Sequence, residues 1–139
     1  MANGFFVTNA VAQGMLNSTG LAEAIGANGK LNIYSGTAPA NADATNSGTL
    51  LAALTLAASP FSGFTDTGSA GRATLGTVSS ATASATGTAS FFRITTSGGT
   101  VIAQGTVATS SADLVLNSIA ITSGSTVAVS SGTIDMPEG

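Results

Sequence analysis

The stretch that decides the fold is residues 86–100, which read TGTASFFRITTSGGT. Thr86 to Thr96 is the clearest strand pattern in the chain, because its side chains alternate between two faces at the two-residue period of a β-strand. Ser97-Gly98-Gly99 is a strong turn signal, and Thr100 to Val107 then returns as the second strand of a hairpin. This hairpin predicts antiparallel sheet structure in the middle of the chain.

Further strand patterns lie on both sides of this hairpin. They are separated by short turn segments, and no helical pattern alternates with them, which favours a mainly β domain over an α/β domain. We therefore expect an antiparallel β-sandwich or a jelly-roll-like domain. The predicted strands are Lys30–Ser35, Thr49–Ala57, Arg72–Val78, Asp113–Ile121 and Ser125–Met136.

Two segments allow more than one interpretation. Thr49 to Ala57 is a continuous apolar run that fits a buried strand or a short helix, and its length of nine residues favours the strand. Ser79 to Ala89 consists almost entirely of small residues, so it is either a strand with an irregular entry or a disordered linker. Phe61 to Ala70 is rich in Gly and Ser and is expected to be a loop.

The first 29 residues have a different pattern. Asn9 to Asn17 carries a weak helical stripe, and Leu21 to Ile25 is a second short helix candidate. The segment Gly26-Ala27-Asn28-Gly29 would end that helix. We predict a short helical N-terminal arm over residues 1–29 and a β-sandwich domain over residues 30–139.

The composition excludes most kinds of chemistry. The chain has no His and no Cys, so it lacks an imidazole base, a thiol nucleophile and the usual zinc ligands. No pair of carboxylates has a context that suggests acid–base work, and no Ser is placed beside a base. We therefore expect no catalytic residue, no cofactor-binding residue and no metal ligand, and a protein that is not an enzyme.

Two short motifs partly match known ligand-binding motifs. Gly26 to Lys30 contains the Gly-Lys pair of a phosphate loop, but the glycine that should lie five residues earlier is Ala24. Asn41, Asp43 and Asn46 could offer oxygens to a cation, although a calcium loop needs more carboxylates. A helix stop and a polar turn are the better interpretations of these two motifs.

Small residues dominate the chain. Ala, Thr, Ser and Gly account for 25, 21, 18 and 18 of the 139 residues, so the hydrophobic core should be thin. Association with a partner would stabilise such a domain, and a surface with few charges is easily buried. The three basic residues are too few and too scattered for binding to a nucleic acid.

No membrane partner is expected. The longest apolar run, Leu50 to Ala58, is about half the length of a membrane-spanning helix. Met1 to Gly14 lacks the basic and apolar regions of a secretory signal. These features predict a soluble protein, and the absence of Cys fits synthesis in a reducing cytoplasm.

Four residues are candidates for an interface. Phe5 and Phe6 precede the first predicted strand, so they could dock on a partner or pack on this chain's own domain. Arg93 lies inside the most apolar strand, on the same face as Phe91. Its head group could reach solvent, or it could anchor an interface, where Arg and aromatic residues are enriched.

Five segments carry a resemblance to a known family. They are 31–43 (LNIYSGTAPANAD), 48–51 (GTLL), 87–94 (GTASFFRI), 105–118 (GTVATSSADLVLNS) and 134–137 (IDMP). In order and spacing they resemble a family of small virion-associated proteins of tailed bacteriophages. Together they span most of the chain after residue 20, whereas Phe61 to Ala85 departs from the family pattern.

The resemblance implies a structural role on a phage particle. A short β protein with few charges is most similar to a capsid decoration, or cement, protein, which binds the outer surface of the head and stabilises capsomer junctions. The implied partners are the major capsid protein and further copies of this chain, as a homotrimer. The alternatives are a tail, neck or fibre component of the virion and a module that binds the host surface.

Overall fold

The computed structural model describes residues 6–8, 21–66, 70–109 and 114–137. Within these ranges the chain forms one short helix, α1, at Leu21–Ile25, where the sequence predicted it. The remaining regular structure is β, with the strands β1 Phe6–Val7, β2 Lys30–Ser35, β3 Thr49–Leu56, β4 Phe61–Asp66, β5 Ala70–Leu75, β6 Val78–Ser79, β7 Ala81–Thr82, β8 Gly87–Thr95, β9 Val101–Ala108, β10 Leu114–Leu116, β11 Ala120–Ile121, β12 Thr126–Val127 and β13 Val129–Pro137.

The predicted mainly β class is confirmed, and the strands form a curled, sandwich-like sheet. The order in the large sheet is β4-β5-β13-β10-β9-β8-β2-β3-β6, with β1 added beside β9 and β11 added beside β8. Strands β7 and β12 form a separate pair. The described pairs are antiparallel except β9–β10, which is parallel, so the sheet is mixed.

The centre of the sheet follows the alternation seen in the sequence. Strand β2 lies between β3 and β8, and Leu31 of β2 faces Leu54 on one side and Ile94 on the other. All three side chains are buried in the main hydrophobic cluster. Because alternate residues of each strand point to this cluster, the polar residues between them lie on the opposite face of the sheet.

The ambiguous apolar run is a strand. Thr49 to Thr55 of β3 pair with β2, and the register shifts between Ile33 and Tyr34 of β2. Leu51, Ala52, Leu54 and Leu56 are buried. The apolar run is continuous because the exposed positions Leu50 and Ala53 also carry apolar side chains.

The prediction of a loop over Phe61 to Ala70 was wrong in its first part. Residues 61–66 form β4, which pairs with β5 and has a bulge between Phe61 and Gly63. The sequence signal was weak because Ser62 and Gly63 are poor strand formers, and pairing to β5 overrides their low propensity.

The small-residue stretch after residue 79 is also part of the fold. The Ala83 amide donates to the Ser125 carbonyl at 2.8 Å, and the Ser84 amide donates to the Leu51 carbonyl at 2.8 Å. Ala83 is buried in the main cluster. Of the two interpretations of this stretch, the structure shows short strands with an irregular connection.

The described part of the N-terminal region lies against the β domain. Strand β1 pairs with β9, and the Thr8 amide donates to the Ile102 carbonyl at 3.1 Å. Ile25 of α1 is only 1% exposed and belongs to the main cluster. The helix predicted at Asn9 to Asn17 lies outside the described residues, and the division at residue 29 stays a prediction.

Candidate functional site

The most distinctive polar site lies beneath the connection between β2 and β3. We call this connection, residues 36–48, the strap. It begins at Gly36, whose φ of 96° is a conformation that favours glycine. The Ser90 hydroxyl of β8 donates to the Gly36 carbonyl at 2.6 Å, which ties the start of the strap to the sheet.

Asparagine side chains shape the strap from within. The Asn41 Oδ1 atom accepts hydrogen bonds from the backbone amides of Asp43 and Ala44, both at 3.0 Å. The Asn46 Oδ1 atom accepts one from the Gly48 amide at 2.7 Å. Both asparagine oxygens therefore stabilise backbone turns, as expected for a polar turn rather than a cation loop.

Two sheet residues hold the strap from below. Arg93 of β8 and Gln104 of β9 are register partners, and the Arg93 Nε atom donates to Gln104 Oε1 at 3.1 Å. The Arg93 guanidinium also donates to the strap carbonyls of Ala44, at 2.6 Å, and Asn41, at 3.4 Å. Gln104 Nε2 donates to the Pro39 carbonyl at 2.8 Å. We call this pair and its bonds to the strap the Arg93 latch.

The Arg93 latch is buried. Arg93 is 5% exposed and Gln104 is 1% exposed. Desolvation by burial lowers the pKa of the Arg93 guanidinium, whereas nearby Tyr34 acts in the opposite direction. Arginine titrates so far above neutral pH that the group stays charged, so its hydrogen bonds must offset the loss of hydration. The interpretation that the head group reaches solvent is therefore wrong.

Phe91 lies beside the Arg93 latch on the same face of β8. Its ring is fully buried and stacks on Tyr34, with the centroids 5.2 Å apart and the planes at 14°. Gly48 closes over the ring, because a Cβ atom at that position would lie 3.1 Å from two ring carbons. The strap thus covers an aromatic pair and a buried cation together.

Both faces of β8 are consequently buried along its second half. Phe92 and Ile94 face the main cluster, and Phe91 and Arg93 face the strap. This double burial explains why the strand had the strongest apolar signal in the sequence.

The four predicted interface residues fall in different places. Phe5 lies outside the described residues, and for Phe6 the structure gives the backbone, which pairs with Gln104 in β9. Phe91 and Arg93 lie together beneath the strap, inside this chain. A partner would have to reach them through the strap, so their interface role stays a prediction.

Sequence reasoning missed the role of Gln104. A signal was present, since Arg93 and Gln104 are polar residues inside two apolar strands on either side of a predicted turn. Counting residues outward from that turn would have placed them near each other. The register shift between Ile94 and Thr95 is what brings them into direct opposition.

Two shallow grooves lie elsewhere on the surface. One of about 380 Å³ lies between the end of α1 and the β3–β4 connection, lined by Glu23, Gly26, Ala27 and residues 58–61. The other, of about 210 Å³, lies between residues 75–78 and 129–132. Neither brings together several ionisable side chains, so neither suggests catalysis.

Within the described ranges, no three His, Cys, Asp or Glu side chains are grouped so that they could hold a metal ion. Across the same ranges, no helix is long and apolar enough to cross a membrane.

The hydrogen bonds of the site fix the position of the strap. The polar groups of the site are occupied by one another and by backbone carbonyls, and they shape a surface segment of thirteen residues. Comparison with known proteins adds no further assignment: the chain matches no protein-family model, no curated protein and no solved structure.

Proposed function

We propose that this chain is a structural protein of a tailed-phage virion and decorates the outer surface of the head. In this role it is not an enzyme. It binds the major capsid protein at capsomer junctions and associates with further copies of itself, as a homotrimer. It uses no cofactor and contacts neither nucleic acid nor membrane.

The observation that carries the proposal is where the family-like segments lie in the fold. Residues 31–43 form most of β2 and the first half of the strap, 48–51 begin β3, and 87–94 form β8. These segments are joined by the register of β2 with β3 and β8 and by the bond from Arg93 to Ala44. The resemblance therefore follows one contiguous structural unit, which supports a common architecture over chance similarity of short peptides.

The surface is suited to packing against protein. Glu23 and Asp43 are exposed, Lys30 and Arg72 are partly exposed, and most other exposed positions carry Ala, Ser, Thr, Asn or Gly. Small neutral side chains lose little hydration and little conformational entropy when an interface covers them.

The strands β4, β5 and β13 offer one such surface. Strand β5 has neighbours on both sides, and its Ala73 and Leu75 side chains are partly buried against the main cluster. Thr74, on the opposite face, is exposed. Self-association or attachment to a coat subunit would cover this exposed face.

The direct test is binding to the particle. Purified protein is mixed with capsids of the encoding phage that lack it, and separately with free coat subunits, and each mixture is sedimented. We expect saturable binding to capsids and none to free subunits. Protein that stays in the supernatant at all capsid concentrations would rule out the proposal.

Copy number separates the head from other virion locations. Quantitative mass spectrometry of purified virions should give hundreds of copies, as a surface lattice requires. A dozen copies or fewer would place the protein in the tail, neck or fibre instead.

A further inference from the structure

We infer that the strap, residues 36–48, is the surface with which this protein binds the coat subunits of the particle. We also infer that the Arg93 latch holds the strap in its binding conformation before contact. This inference rests on the proposed function, because it names the part of the molecule that meets the capsid.

Most of the strap is open to a partner. The described bonds from the latch to the strap end on backbone carbonyls, those of Pro39, Asn41 and Ala44. Ala42 is buried, and the side-chain oxygens of Asn41 and Asn46 bind the strap's own backbone. The exposed strap residues are Gly36, Thr37, Ala38, Ala40, Asn41, Asp43, Thr45 and Ser47.

The latch is built around a buried charge, that of Arg93. An apolar pair at positions 93 and 104 could stabilise the sheet as well, because burying a guanidinium carries a desolvation penalty. A guanidinium offers several donors in a fixed plane, so it specifies where the carbonyls of Asn41 and Ala44 must lie. The latch therefore specifies the shape of the strap, beyond any contribution to stability.

A strap with a fixed shape binds a partner at a lower entropic cost. A connection of thirteen residues without regular structure would lose conformational entropy if it became ordered only on contact. Holding it in one conformation beforehand removes that penalty from the binding free energy. Long ordered loops on a rigid sheet are the usual place for a recognition surface.

The composition of the strap indicates the chemistry of its partner. The strap has one charged residue, Asp43, and no basic residue, so it would not attract phosphates or anionic lipids. Its exposed hydroxyl and amide groups resemble those of antibody loops, where Ser, Gly and Asn make adaptable hydrogen bonds to proteins. The fitting partner is a neutral or weakly basic protein surface, which we assign to the coat subunit.

The test places a bulky charge on the strap without touching the latch. Thr37→Arg and Thr45→Arg each alter an exposed strap residue. Thr100→Arg makes the same change at an exposed position beside the β8–β9 turn, at the opposite end of β8 from Ala89, which pairs with the last residue of β2 before the strap. We expect the two strap variants to bind capsids about ten-fold more weakly or worse, as for a disrupted interface centre. The Thr100→Arg control should stay within about two-fold of the unmodified protein. Circular dichroism verifies that all three remain folded.

The outcomes separate the two proposals. If the unmodified protein fails to bind capsids, the proposed function fails. If it binds and the strap variants bind equally well, the function stands and the strap inference is overturned. If the strap variants instead lose binding to isolated host-cell glycans, the partner is a carbohydrate and the inference is likewise overturned.

A second variant tests the preorganised conformation. Arg93→Lys keeps the positive charge but loses the planar set of donors. We expect faster amide hydrogen exchange in residues 44–48 and capsid binding weakened by about three-fold or more, mainly through faster dissociation. Faster exchange in the strap with unchanged capsid binding would overturn the role of the latch.

Discussion

The Arg93 Nε atom donates to Gln104 Oε1 at 3.1 Å across the β8–β9 hairpin, and both side chains continue to backbone carbonyls of the strap. The pair is buried, and its described bonds satisfy donors on both residues. Inside a protein such a network is stable only when its members are satisfied together. Changing either residue should therefore weaken the bonds of the other residue to the strap.

Replacing Arg93 with Met should lower the free energy of unfolding by about 2–4 kcal/mol, because hydrogen bonds from a charged donor are lost and buried acceptors are left unpaired. Urea denaturation measures the change. Hydrogen exchange should show the strap losing protection while β2 and β8 keep theirs.

The matched measurement is a double-mutant cycle with Gln104→Met. Because the two side chains share a hydrogen bond, the effects should be non-additive by about 0.5–3 kcal/mol. Additive effects within about 0.3 kcal/mol would mean that the two residues act independently.

Gly48→Ala should destabilise the fold by about 1–3 kcal/mol through overpacking. The new methyl group would overlap the Ser35 carbonyl oxygen and press on the Phe91 ring. The control is Gly71→Ala on β5, where no heavy atom lies within 4 Å of the added carbon. That change should be neutral or slightly stabilising, and equal losses at both positions would contradict the packing of the strap on Phe91.

Ile25→Ala should cost about 2–5 kcal/mol, as for other large-to-small changes in a core. Ile25 is buried against the β domain, so its loss leaves a cavity there. Glu23→Ala on the exposed side of α1 is the control and should change the stability by less than about 0.5 kcal/mol. Thermal unfolding of both variants decides whether α1 is integral to the fold, and a small effect at Ile25 would show that it is not.

Stability should change by less than about 0.5 kcal/mol between about pH 5.5 and pH 7, because the chain has no His. Burial lowers the pKa of Arg93 in the folded state, so the unfolded state holds that proton more tightly. This makes stability rise with pH, but only in the strongly alkaline range where arginine titrates.

Urea midpoints at several pH values measure this prediction. Arg93→Met should have an equally flat profile, at lower stability. A slope near 1.4 kcal/mol per pH unit would mean that the folded and unfolded states differ by about one bound proton in this pH range. That result would instead reveal a carboxyl group whose pKa in the folded state is raised into this range.

Much of the central sheet could be predicted from local patterns. The alternation after Thr86 and the turn at Gly98-Gly99 located β8 and β9, and the glycine-rich stop after Ile25 located the end of α1. These features depend on neighbouring residues only. Strand β4 was missed because Ser62 and Gly63 carry almost no strand propensity, and its pairing with β5 is what makes it a strand.

The site was only half predictable. The sequence identified Phe91 and Arg93 as residues on one face of an apolar strand, but it did not identify Gln104 or the strap. Arg93 and Ala44, which share a hydrogen bond, are separated by 49 positions in the sequence. Gln104 and Pro39, which share another, are separated by 65 positions. No local pattern reports such a separation.

What the sequence alone determined is therefore the strand-forming character of this chain, its lack of His and Cys, and the two faces of its central strand. The two-residue period of a strand assigns each side chain to a face, but it does not say what covers that face. Only the tertiary structure decided that Arg93 is buried, because a distant segment crosses above it and supplies carbonyl oxygens that can replace water.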